Sequence, residues 1–202
     1  MQRKLTAIMS ADVVGFSGLM EKDEAGTLQR LRTNRARIFD PYLAIHGGRL
    51  FKLMGDGAMA EFASVISAVS CALAIQEATE SLDSDLPDSK RIRYRIGVNI
   101  GEVIVDGDDF YGEGVNVAAR LQGISQPGVV FITHVVKDHI EGKGPFAFDD
   151  MGDYTPKNIE RPAHVFGRPL CRRPRFPPTR PPKASRVSDI RALNWSARIG
   201  PC

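Results

Sequence analysis

Asp109-Phe-Tyr-Gly-Glu-Gly-Val-Asn-Val-Ala-Ala-Arg-Leu121 is the stretch from which the rest of the chain is read. It leaves a strand through an acidic turn, crosses Gly112 and Gly114, and enters a helix. Asn116 and Arg120 stand four residues apart, so they project from one helical face. An amphipathic helix ordinarily keeps apolar residues on its inward stripe. Here an amide and a guanidinium share a face just beyond a glycine-rich bend and a carboxylate, Asp109, a combination suited to a polyanion and a base. Alone, the stretch reads equally well as a helix with a polar residue near its start and a solvated arginine. Two others add to it, Asp12-Val-Val-Gly-Phe-Ser17 and Lys52-Leu-Met-Gly-Asp-Gly57.

Leu5 to Val14 is a short apolar run rich in strand formers that ends at Gly15, and it predicts a buried strand. Asp12 is its exception. A carboxylate on a core strand is costly unless it is paired or binds a cation; capping of the following loop is the alternative. Asp23 predicts the start of a helix carrying Leu28, Leu31, Ile38, Tyr42 and Ile45 at a 3–4 spacing, bent at Pro41 and ended by Gly47-Gly48. Arg49–Lys52 and Ala58–Phe62 form a hairpin signal around Gly55-Asp56-Gly57. Ser64 caps a second helix with Ala68, Ala72, Ile75 and Thr79 on its stripe, and a polar loop spans Ser81–Lys90.

From Arg91 to Ile100 apolar and polar residues alternate, as on a half-buried strand, and Glu102–Val105 reads as a second, returning strand. Beyond the opening stretch follow a strand at Gly128–Thr133, a helix at His134–Ile140, and strands near Phe146–Phe148 and Ala163–Phe166. This order predicts an α+β fold, an antiparallel-rich sheet covered by helices. Asp12 and Asp56 then fall at the ends of neighbouring strands, close enough to hold two divalent cations side by side.

Composition excludes several classes. The four histidines and three cysteines (Cys71, Cys171, Cys202) have no metal-ligand spacing, and scattered cysteines argue for a reducing cytosol. Asp106-Gly-Asp-Asp109 lacks the remaining ligands of a calcium loop. Gly142-Lys-Gly144 lacks the glycine spacing and Ser/Thr of a phosphate loop. No apolar stretch approaches a membrane span, and Asp12 interrupts the N-terminal apolar run too early for a leader, so the chain reads as soluble and cytoplasmic.

Residues 168–202 carry nine Arg or Lys against one acid, a net of +8, while residues 1–167 are net −5. The basic charge therefore belongs to a Pro/Arg-rich tail at 168–202, expected to be disordered, and residues 1–167 form the folded domain. The tail reads either as an end without a role or as a membrane-surface or polyproline ligand. An acidic domain without exposed aromatics on its central strands is not a nucleic-acid binder.

Taken together in this order and spacing, the three motifs resemble the catalytic signature of class III nucleotide cyclases, closest to the bacterial adenylate cyclase type, over about residues 4–167. The resemblance implies a ferredoxin-like, palm-type fold. It also implies roles: Asp12 and Asp56 binding two Mg²⁺ (or Mn²⁺) ions with help from the Val13 carbonyl, and Phe16 and Ser17 under the phosphates. Lys52 and Asp109 would read the base, Asn116 would orient the ribose, and Arg120 would stabilise charge on the α-phosphate. Arg95 and Lys157 would bind the outer phosphates, although Pro156 stands where the family usually has an apolar strand residue. Members of the family act as head-to-tail dimers with sites at the interface, so a homodimer of this chain would form two. Without an accompanying sensory domain, regulation is expected in trans or through the tail.

Adenine offers an acceptor at N1 and a donor at its amino group, matching the ammonium of Lys52 and the carboxylate of Asp109. Guanine reverses both, which predicts ATP over GTP. The expected reaction is ATP to 3′,5′-cyclic AMP and pyrophosphate. The competing expectation is a catalytically silent cyclase-like module that binds nucleotide or a partner chain. A diguanylate cyclase is excluded because the hairpin turn is Gly55-Asp56-Gly57 rather than Gly-Gly-Asp/Glu-Glu-Phe.

Overall fold

The apolar N-terminal run becomes β1 (Gln2–Val13), buried from Thr6 to Ala11, and the sheet grows outward from it. The computed structural model describes residues 2–154 and 163–169. On one side β1 pairs antiparallel with β3 (Gly57–Phe62), which turns back into the edge strand β2 (Gly48–Met54). On the other it pairs antiparallel with β4 (Tyr94–Asp106), from Gln2 opposite Val105 to Val13 opposite Tyr94. The N-terminal half of β4 then pairs in parallel with β6 (Val129–Thr133), followed by β8 (Ala163–Pro169) and β7 (Asp149–Tyr154). A three-residue strand, β5 (Asp109–Tyr111), pairs with the far end of β4. The sheet thus has eight strands in the order β2-β3-β1-β4-β6-β8-β7 with β5 on β4.

Helices lie on both faces. Alternation sends Ala7, Met9, Ala11 and Val13 toward α2 (Glu24–Asn34), α3 (Asp40–Ile45), α4 (Val65–Leu82) and α6 (His134–Ile140), which cover the main core. Ile8, Met59 and Val103 face the other way and pack with Val115 and Ala118 of α5 (Glu113–Ile124).

Several elements differ from the sequence expectation. Glu102–Val105 does not return; β4 runs unbroken through Gly101. Gly101 interrupts nothing because α5 crosses directly above it, and a Cβ there would lie 2.9 Å from the Gly114 Cα. A short helix, α1 (Phe16–Lys22), precedes the one capped by Asp23. Pro41 does disturb that second helix, but through a π-helical turn at Arg35–Phe39 that widens the spiral before the proline enters the first turn of α3. Phe146 and Phe148 pack on the main core outside any strand, and the expected strand lies later, at Asp149–Tyr154. β8 continues through Arg168 and Pro169, two residues beyond the boundary read from the sequence. Lys157 and residues 170–202 lie outside the described residues.

Candidate active site

β1 delivers Asp12 to the edge of the α5 face, and the β2–β3 turn delivers Asp56 beside it. The turn is formed with Gly55 at a left-handed φ of 64°. A Cβ on Gly57 would stand 3.5 Å from Asp12 Oδ1. The two carboxyls meet at hydrogen-bonding range. Burial, and then the neighbouring Asp12 carboxyl, raise the Asp56 pKa above the ordinary carboxylate value, while backbone N–H groups of Asp56 and Val13 act against the shift.

Arg95 stands opposite Asp12 in the β1–β4 ladder and donates from Nη2 to Asp12 Oδ2 at 2.5 Å. Gln122, two residues beyond Arg120 on α5, donates to the same oxygen at 3.3 Å. Among the described residues, Nε of Arg95 is buried without a hydrogen-bond partner. Gly15, left-handed at φ 63°, turns the chain from β1 into α1, where Phe16 is half-buried on the main core and Ser17 is exposed.

Lys52 reaches the same face through a bulge. Leu50 opposes Ala60, yet Lys52 opposes Met59, so Phe51 is the inserted residue. Ala60 belongs to the main core and Met59 to the α5 side. Without the extra residue Lys52 would point with Leu50 into the helical layer; with it, Lys52 faces β5. There its Nζ lies 5.6 Å from the centroid of the Tyr111 ring, and the Tyr111 hydroxyl donates to Asp109 Oδ2 at 3.1 Å. Accepting that bond, the Asp109 carboxylate holds the Tyr111 phenol above its usual pKa.

α5 sits low on β4. Gly97 lies beneath Ala118 and Gln122, Gly101 beneath Gly114, and Asn99 donates from Nδ2 to the Gly114 carbonyl at 3.2 Å. Asn116 is exposed on the helix, and Arg120 is half-buried with its charge felt at Tyr154 of β7. Among the described residues, Nη1 of Arg120 is buried without a hydrogen-bond partner. A guanidinium nitrogen kept from both water and protein acceptors suits an anionic ligand.

The structure therefore gathers the sequence-predicted residues into two groups. Asp12, Val13, Asp56 and Arg95 form one, with Phe16 and Ser17 following. Lys52 and Asp109 form the other, joined through Tyr111. Among the described residues no hydrogen bond joins Asp12 or Asp56 to Lys52, Asp109, Asn116 or Arg120. Tyr111 and Gln122 were missed by sequence reasoning. A tyrosine two residues beyond a carboxylate on a short strand is the only signal that could have found the first.

Two carboxylates with an adjacent backbone carbonyl are a hard-oxygen donor set. It fits Mg²⁺ or Mn²⁺, which take one or two carboxylates and fill the remaining positions with water and phosphate oxygens. Among the described residues no group of three or more His, Cys, Asp or Glu is placed to hold a metal, so the closed cage of a structural site is not what Asp12 and Asp56 provide.

The sequence profile of the adenylate and guanylate cyclase catalytic domain matches residues 2–165. The chain belongs to this family. A Rhizobium meliloti (strain 1021) protein named "Putative adenylate cyclase 3" is 42% identical over 177 residues, covering 88% of this chain and 30% of that relative. This cyclase-family chain thus spans under a third of that protein's length. Among solved structures, an adenylate/guanylate cyclase/hydrolase from Silicibacter pomeroyi is 40% identical with a TM-score of 0.78, covering 82% of this chain and 96% of that one. The adenylyl cyclase CyaB from P. aeruginosa is 26% identical with a TM-score of 0.71, covering 82% and 94%. The palm-type cyclase fold expected from the motifs is the fold observed. No helix among the described residues is long and apolar enough to cross a membrane.

Proposed function

We propose that this chain is an adenylate cyclase, converting ATP to 3′,5′-cyclic AMP and pyrophosphate at sites shared between two copies in the cytoplasm. The observation that carries the reading is the Asp12–Asp56 pair, two carboxyls brought to hydrogen-bonding range on a chain of the cyclase family. Like charges so close are stabilised by divalent cations. Mg²⁺ or Mn²⁺ held by Asp12, Asp56 and the Val13 carbonyl would acidify the ribose 3′-hydroxyl and neutralise the polyphosphate.

The 3′-oxygen forms a bond to the α-phosphorus, the bond from that phosphorus to the bridging oxygen breaks, and the hydroxyl proton is lost as pyrophosphate departs. Asn116 orients the ribose, and Arg120 meets charge developing on the α-phosphate with its unpartnered Nη1. Arg95, and Lys157 from outside the described residues, bind the outer phosphates, with Phe16 and Ser17 beneath. Lys52 donates to adenine N1, and Asp109 accepts from its amino group.

The separation of the two groups supports a homodimer, in which Asp12 and Asp56 of one copy face Lys52, Asp109, Asn116 and Arg120 of another. Leu53 and Met54, each 48% exposed at the hairpin beside Lys52, supply apolar surface for a second copy to cover.

The test is cyclic AMP formation by the purified chain with ATP and Mg²⁺ or Mn²⁺, beside GTP and an Asp12→Ala control. ATP-specific product that the control lacks is the expected result. No product with either metal, at concentrations where the protein is dimeric, would overturn the reading in favour of a binding module or a heterodimer subunit.

A further inference from the structure

Tyr111 takes no part in the chemistry above, yet it touches both residues assigned to the base. Its ring faces Lys52 Nζ at 5.6 Å from the centroid, and its hydroxyl donates to Asp109 Oδ2 at 3.1 Å. Packing does not explain its position, because Tyr111 is 46% exposed. The strand beneath it is anchored by its neighbour instead. Phe110 is buried, meets Phe51 edge-on at 4.9 Å between centroids, and lies under the Arg49 guanidinium at 4.9 Å. Arg49 Nη1 also pairs with Asp108 at 3.2 Å. Phe110 therefore anchors the strand beside Asp109, and alternation along β5 sends Tyr111 to the side of Asp109 rather than of Phe110.

We propose that Tyr111 is a specificity-positioning residue of the base site: it holds the Lys52 ammonium and the Asp109 carboxylate in the polarity that matches adenine and mismatches guanine. The inference rests on the adenylate cyclase reading. A phenol that donates to Oδ2 keeps Asp109 an acceptor and leaves Oδ1 for the exocyclic amine. An aromatic face beneath the ammonium restrains a side chain that otherwise samples many rotamers, so less freedom is lost when the base arrives. Without the tyrosine, Lys52 and Asp109 are free to turn away or toward each other, and the donor–acceptor order that discriminates the purines blurs.

The experiment uses the full chain as wild type, Tyr111→Phe and Tyr111→Leu. Dissociation constants for the α,β-methylene analogues of ATP and GTP, which cannot be cyclised, are read by calorimetry with Mg²⁺, alongside kcat and KM for ATP. Tyr111→Phe keeps the ring and loses the donor. It is expected to weaken the ATP analogue by roughly 3- to 10-fold and the GTP analogue by less than about 2-fold, with the kinetic effect falling on KM. Tyr111→Leu also loses the ring, and roughly 10- to 50-fold weaker ATP-analogue binding is expected. Equal weakening of both analogues, no change in either, or a loss confined to kcat would overturn the proposal, since a merely structural role leaves the selectivity ratio alone. If the wild type binds both analogues and turns over neither nucleotide, the cyclase reading fails while the ratio still decides the role of Tyr111. A wild type that binds neither analogue overturns both.

Discussion

At one end of the α5 face, Asp12 and Asp56 bring two like charges to hydrogen-bonding range; at the other, Lys52 and Asp109 set opposite charges against one tyrosine. In the first group Asp12 is rooted in the centre of the sheet, since β1 is paired along both edges, while the β2–β3 turn carries Asp56 to it. The second stands on the margin, on the edge strand β2 and on three residues of β5. Carboxyls drawn this close are costly: Asp12 is offset by the Arg95 guanidinium, and Asp56 responds with a raised pKa. A lysine and an aspartate carry opposite charges and face no such repulsion, and a bulge and a ring orient them. On the adenylate cyclase reading proposed above, the same face separates where charge is neutralised from where one base is told from another.

Replacing one carboxylate tests this contrast most severely. Asp56→Asn should lower cyclic AMP formation by about a thousand-fold, the scale expected when electrostatic support of a phosphoryl transition state is removed. The metal-free variant should nevertheless melt higher than wild type at neutral pH. The folded state holds the Asp56 proton more tightly than the unfolded state does, so this group favours folding below the ordinary carboxylate pKa. That contribution is lost as pH rises through the raised folded value. The difference in melting temperature between variant and wild type should therefore grow as pH climbs out of the carboxylate range, and added Mg²⁺ should shrink it. A variant that melts lower than wild type at every pH would mean that neither burial nor the Asp12 carboxyl makes ionised Asp56 costly.

At the Lys52–Asp109 end a smaller effect is expected. Lys52→Glu with Asp109→Asn turns an acceptor toward guanine N1–H and a donor toward O6, so the ATP-over-GTP ratio in kcat/KM should fall roughly ten-fold or more. An unchanged ratio would remove Lys52 and Asp109 from base reading.

Smallest of all is a correction to the melting experiment. His164 of β8 lies between Asp150 and Asp153 of β7, with Nε2 2.8 Å and Nδ1 2.6 Å from their carboxylate oxygens, and the Asp153 bond leads in raising its pKa. Its contribution to stability is complete below the ordinary imidazole value and is lost as pH rises through the raised one. His164→Asn should flatten the pH dependence of melting only in that upper window, leaving the Asp56 effect at lower pH intact. A flattening in the carboxylate range instead would assign the Asp56 slope to the wrong group.

Much of this was legible in the residues. An apolar run located β1, a hairpin signal located β3, and alternation located the N-terminal half of β4, while Gly-Asp-Gly at 55–57 placed Asp56 beside Asp12. Glycine misled elsewhere. Gly101 reads as a break because a missing side chain ordinarily weakens a strand, whereas here it makes room for a helix, which local pattern cannot express. β5 is too short for periodicity, and a bulge such as Phe51 shifts register without a mark in composition. Tyr111 remained invisible for a related reason: its partners lie 59 residues and two residues away, and Lys52 meets it only where β2 approaches β5.

The seat of α5 has a consequence for judging other chains of this kind. Asn116 and Arg120 stand at a height above the sheet set by three residues that have no side chain, Gly97 and Gly101 below and Gly114 above. An alanine at position 101 would drive its methyl to 2.9 Å from backbone, which cannot yield as a flexible side chain can, so the helix would have to ride up. Every lettered motif would survive such a change while two of its members lost their reach. A checklist of reactive residues would score that chain as complete, so the silent copies in a genome are to be sought at the glycines as well as at the acids and the arginine.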